Sequence, residues 1–155
     1  MDATTAQRRF AELREPSVLA SDVELDEIWA ALPTLRADDM LGAWRGSEFD
    51  TGHPLNGLTE RAGWYGKTFV SLTDVKPLMC RDEAGNLYSN VELGHGEASL
   101  WNAEFRGEVT ATMVYDGQPV LDHFKRVNDT TLMGIMNGKG LPDERHVYFI
   151  LERDA

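Results

Sequence analysis

Two periodicities divide the chain near residue 40. Ahead of it, apolar side chains recur at helical spacing: Phe10 and Leu13 in a short segment stopped by Pro16, then Leu25, Ile28, Trp29 and Leu32 in a segment closed by Pro33. Ser21 and Glu24 have capping-box spacing, placing the second helix start at Ser21. Its apolar stripe predicts packing on the outside or end of the main body, with a dimerisation helix as the alternative. Beyond Leu41 the pattern becomes short alternating runs separated by turns. Strands are predicted over 41–49, 66–71, 75–81, 87–93, 98–106, 108–115, 119–127, 131–136 and 147–153. A short helix is predicted over 53–62, with Pro54 at its first position and Gly63 as its stop.

Asp116-Gly117 joins two of these runs as a hairpin would. Many short strands without intervening long helices imply an antiparallel meander, and closing it into a barrel removes its edges. The expected fold is mainly β: a small antiparallel barrel with short N-terminal helices and a helix after the first strand. In domain terms, residues 1–39 form a helical segment packed on a barrel of residues 40–155.

The first strand carries Gly42, Trp44 and Gly46 on one face, followed by Thr51-Gly52-His53-Pro54. Glycines flanking an indole let another chain segment approach closely. These residues resemble the signature of the GXWXG family, bacterial proteins that usually continue into a second segment of unknown function. Gly63-Trp64-Tyr65-Gly66-Lys67-Thr68-Phe69 also fits that family. The run from Tyr115 through Val127 and Leu132 to Gly140 resembles the second segment. Gly-x-Trp is also similar to the first strand of calycin-type barrels: lipocalins, fatty-acid-binding proteins and nitrobindins. That resemblance implies a tryptophan plugging the closed end beneath a basic residue of the last strand, here Arg153. It further implies that the helix over 53–62 lies over the open mouth as a lid; flat packing on the barrel wall is the alternative.

Charge and composition narrow the function. Fifteen Lys and Arg stand against 26 Asp and Glu, a formal net charge of −11 that repels phosphate backbones and anionic headgroups. Neither nucleic acid nor membrane insertion is expected, and no apolar run approaches the roughly 18 residues a bilayer span needs. Cys80 is the single cysteine, which suits a reducing compartment, and a cytoplasmic location is the expectation. A homodimer remains open. The four histidines show no metal-ligand spacing, so no metal site is expected.

The leading expectation is an enclosed site for a small hydrophobic or amphipathic molecule, such as a fatty acid, isoprenoid or polyketide-like compound. Candidate ligand contacts are Trp64, Tyr65, Lys67, Tyr88, Trp101, His123 and Phe124. An enzyme on the same scaffold, an isomerase, cyclase or hydrolase, is the rival, with His123 or His53 as general acid–base and Lys67 or Tyr65 as electrostatic partner. No cofactor is expected from the residues; haem binding is a third reading, since nitrobindin-like barrels hold haem through a histidine near the C-terminus and His146 precedes the last strand. Asp122 and His123 are strand neighbours and must face opposite ways. The His123 face, which includes Leu121 and Val127, is expected to line the interior, with Asp122 turned outward or paired on the wall.

Overall fold

The computed structural model describes residues 1–142 and 145–154. Two helices, α1 (Ala3–Leu13) and α2 (Asp22–Ala31), precede a short 3-10 turn at Ala37–Met40. The strands follow as β1 (Gly42–Glu48), β2 (Trp64–Ser71), β3 (Asp74–Arg81), β4 (Leu87–Ser89), β5 (Ala98–Phe105), β6 (Glu108–Tyr115), β7 (Leu121–Asn128), β8 (Thr131–Asn137) and β9 (Val147–Arg153). Single helical turns α3 (Leu58–Arg61) and α4 (Val91–Gly94) interrupt them. All strand pairs are antiparallel, in the order β2-β1-β9-β8-β7-β6-β5-β3, and β2 also pairs with β3. That last pairing closes an eight-stranded barrel.

The run expected as a strand over 87–93 is only three residues of β4, paired to β3 outside the ring. Asn90 ends it: its side chain accepts from Leu93 N and starts α4, and His95 and Gly96 then take positive φ. The helix expected over 53–62 shrinks to α3, because Asn56 holds residues 51–53 in a turn. Its Oδ1 accepts from Thr51 N and His53 N, while its Nδ2 donates to Phe49 O.

Close strand crossing is bought by absent side chains. A Cβ on Gly66 would sit 1.8 Å from Trp44 O, and one on Gly46 would enter the Trp64 indole at 2.1 Å. Both positions therefore need glycine for the approach itself.

Two apolar clusters share the barrel wall. Trp44, Phe69, Leu100, Met113, Phe124, Leu132, Phe149 and Leu151 fill the interior, and Leu35, Ala37 and Met40 cover one end. On the outside, α1 and α2 lay Phe10, Leu25, Ile28 and Trp29 over Met133, Ile135, Tyr148 and Ile150 of β8 and β9. Ser21 Oγ accepts from Glu24 N at the start of α2. At its far end the buried Lys125 Nζ donates to Trp29 O (2.9 Å) and to Glu108 Oε1, so a cation sits at the helix C-terminus.

Trp44 stands at the covered end. Its Nε1–H donates to Met40 O (2.8 Å), and the Arg153 guanidinium lies 4.1 Å from the indole centroid. Arg153 also donates to Leu41 O (2.7 Å) and Asp39 O (3.2 Å), tying the last strand to the turn before the first.

Candidate functional site

Cross-strand partners share a face, so register decides what enters the barrel. Trp44 pairs with Lys67 on β2 and Arg153 on β9, which turns Lys67 inward. Across the ring, Asp122 of β7 pairs with Met113 and Met136, both of the interior. The two meet: Lys67 Nζ is 3.0 Å from Asp122 Oδ2, and both side chains are almost wholly buried. Lys67 Nζ also donates to Pro77 O (3.3 Å), which receives Trp64 Nε1–H at the same distance. The aromatic rings of Trp64, Tyr115 and Phe149 lie 5.3–5.8 Å from the ammonium.

The Lys67–Asp122 contact is close but off hydrogen-bond geometry. Among the described residues, neither Asp122 oxygen has a hydrogen-bond partner. Burial pushes the Asp122 carboxyl above its ordinary range, and the Lys67 ammonium opposes that shift. Burial, with the Asp122 charge adding to it, also holds the Tyr115 phenol well above its usual value. A desolvated pair with unmet acceptors is costly for a core and common at a binding site.

These groups line a small pocket of about 30 Å³, with Glu48, Thr59, Trp64, Leu78, Met136, Val147 and Phe149 as the rest of its wall. Glu48, Thr59 and Trp64 also border a half-open groove of about 820 Å³ on the surface. They form the mouth. Thr59 comes from α3, and Glu48 Oε1 accepts from Gly57 N, which holds the segment before α3 against the rim.

The orientation expected for β7 is reversed: Asp122 faces the interior and His123 faces out. His123 pairs with Thr112 and Ile135 on the helix-covered side, and its ring stacks on Phe105 at 3.8 Å, nearly parallel. Asn137 Nδ2 donates to Nε2 (3.2 Å), so Nδ1 carries the proton and donates to Thr112 Oγ1 (2.9 Å), whose hydroxyl donates to Thr110 O. Burial, then the charges of His146 and Arg106, lower its pKa to about 4. A histidine depressed in the folded state stays neutral while the unfolded chain protonates below ~6.5. Stability is therefore expected to fall as pH drops from about 6.5 to 4. His146, also lowered by burial, contributes the same slope and Asp122, shifted upward, the opposite one, so denaturation of wild type beside His123→Gln isolates the His123 share. The variant should show a weaker downward trend, with His146 supplying what remains; an unchanged slope would overturn this account.

His53 does not border the pocket. Its Nδ1 accepts from Leu55 N (3.0 Å) and its Nε2–H donates to Arg145 O (3.1 Å), so both nitrogens clamp a loop. The structure therefore does not gather His53, His123 and Lys67 around one cavity. His146 packs edge-on to Phe105 and Tyr148 in the outer cluster, away from the interior where a barrel-held haem would need it.

Of the other candidate contacts, only Trp64 and Lys67 border the pocket. Tyr65 turns outward, its hydroxyl on Asp154 and its ring under the Arg81 guanidinium. Trp101 is 58% exposed on β5 and Tyr88 42% exposed on β4. Phe124 is buried in the barrel core, edge-on to Phe69 and Phe149. Asp122, Tyr115, Glu48 and Thr59 were not predicted as pocket residues. Tracing register from Arg153 through β8 to β7 would have turned Asp122 inward.

A closed antiparallel barrel with a buried charge pair below a mouth defines the class of protein. The sequence pattern of the GXWXG protein family matches residues 27–85, and that of the domain of unknown function DUF4334 matches residues 96–153. A crystal structure of a protein from Thermomonospora curvata is similar over 97% of this chain and 99% of that one, at 40% identity and a TM-score of 0.88. The chain belongs to the GXWXG family. No curated protein matches it.

Proposed function

We propose that the barrel binds a small amphipathic molecule through its mouth, polar end inward. The observation that carries this reading is Asp122: a fully buried carboxylate that faces the Lys67 ammonium yet makes no hydrogen bond among the described residues, set in a pocket whose other walls are mostly apolar. Lys67 beside it orients a polar group, while Trp64, Met136, Val147 and Phe149 supply the apolar surface that drives association. The small pocket takes only the tip. The body of a ligand lies in the outer groove, against Trp64 and Pro16.

NMR mapping tests the reading. On titration with a panel of small amphiphiles, the Trp64 indole N–H and the Met136 and Val147 methyl groups should shift together and saturate. Shifts confined to the exposed Trp101, or none that saturate, would overturn it.

A further inference from the structure

Resting on that binding reading, we infer that the group received at Lys67–Asp122 is an uncharged hydroxyl, so that the ligand is an alcohol rather than a carboxylic acid or an amine.

The pair presents one donor and one acceptor to a single small space. An ammonium carries three protons. In Lys67 one goes to Pro77 O and one is directed at the Asp122 contact, leaving a third. Asp122 Oδ2 faces that ammonium as an ion pair, but neither Asp122 oxygen accepts a hydrogen bond among the described residues. A hydroxyl answers both needs at once, accepting from Lys67 and donating to Asp122. Either ionic headgroup answers one need and violates the other. A carboxylate would bring a second anion against Asp122, and an alkylammonium a second cation against Lys67, in a site where neither is screened by water. A protonated acid or a neutral amine would fit hydrogen bonding but must first shift its own ionisation.

Two further features agree. The pocket volume, about 30 Å³, is of the size that accommodates a water or a hydroxyl-bearing tip. The approach is acidic: Glu15, Glu48, Asp50 and Glu60 border the groove, while its Arg14 is engaged by Glu152. An anion arriving through that mouth meets like charge before it reaches the pair, on a chain with a formal net charge of −11.

The experiment uses two matched series on one skeleton each: octanol, octanoate and octylammonium; geraniol, geranate and geranylammonium. Affinities are measured at neutral pH by the Trp64 and Met136 NMR shifts. The alcohol of each series is expected to bind at least ~10-fold tighter than its acid and its amine. Single substitutions of the pair leave a buried charge, so the folded double variant Lys67→Met/Asp122→Leu provides the control. It should bind with the preference among headgroups lost. An acid or amine binding best would overturn the hydroxyl assignment while leaving the binding reading intact. A preference for alcohol that persists in the double variant would also overturn it. If no member of either series shifts the pocket residues, both readings fall together.

Discussion

Trp44→Ala is expected to cost about 3–5 kcal/mol in chemical denaturation, the range for deleting a large buried aromatic. The indole is buried at the covered end of the barrel and packs with residues from both the interior and the 3-10 turn. Its removal also leaves Met40 O without the Nε1–H donor and the Arg153 guanidinium without the ring beneath it. Trp44→Phe separates these contributions. It keeps much of the packing and loses one buried hydrogen bond, for which about 1–3 kcal/mol is expected. Arg153→Leu removes the cation over the ring together with the ties to Leu41 and Asp39, while Trp44 keeps its bond to Met40. A loss below about 1 kcal/mol for Trp44→Ala would mean that the end of the barrel does not depend on this plug.

How much of this could be read from residues alone differs between the two sides of the barrel. On β1 the buried Trp44 lies between exposed neighbours, so alternation points it inward without ambiguity. Glycines on both sides of it correctly signalled close approach by a strand or side chain: Gly42 meets the Arg153 guanidinium and Gly46 the Trp64 ring. On β7, β8 and β9 alternation carries little information. The barrel core lies behind one face and α1 and α2 cover the other, so successive residues such as Asp122, His123, Phe124 and Lys125 are all buried. A polar residue on such a strand has no solvent side to mark it. His123 was accordingly placed inside and Asp122 outside, and only the inter-strand register reverses them.

The same difficulty hid the site. Lys67 was legible as a polar residue among glycines and aromatics, but its partner lies 55 residues away on the far side of the ring. Pairing across a barrel depends on strand number, bulges and shear together, and β2 meets β3 through several register irregularities. The N-terminal helices were legible because Ser21 with Glu24, Pro16 and Pro33 set their limits locally. Their buried faces pack on the chain's own wall, with Lys125 fastening the end of α2 from beneath.

Lys67 and Asp122 should behave as a unit when substituted. Lys67→Met leaves the Asp122 carboxylate fully buried with its charge uncompensated, and Asp122→Leu does the same to the ammonium. Each single change is expected to cost about 3–5 kcal/mol at neutral pH, unless the stranded group abandons its charge. For Lys67→Met that escape is open: a carboxyl already pushed upward by burial loses the cation that held it down, so its protonation should move further toward neutral pH. The single variant should therefore recover stability on acidification relative to wild type. The double variant Lys67→Met/Asp122→Leu replaces both charges with apolar groups of similar volume inside an apolar shell of Trp64, Phe149 and Met136. It is expected to be near wild type or about 1–4 kcal/mol more stable, as buried pairs replaced by hydrophobic residues often are. A double-mutant cycle by chemical denaturation measures the coupling directly. Additive losses would mean that the two side chains do not depend on each other in the folded protein. Strong coupling with a stable double variant would mean that this pair costs the fold stability, and a function at the mouth of the barrel is then what its charges serve.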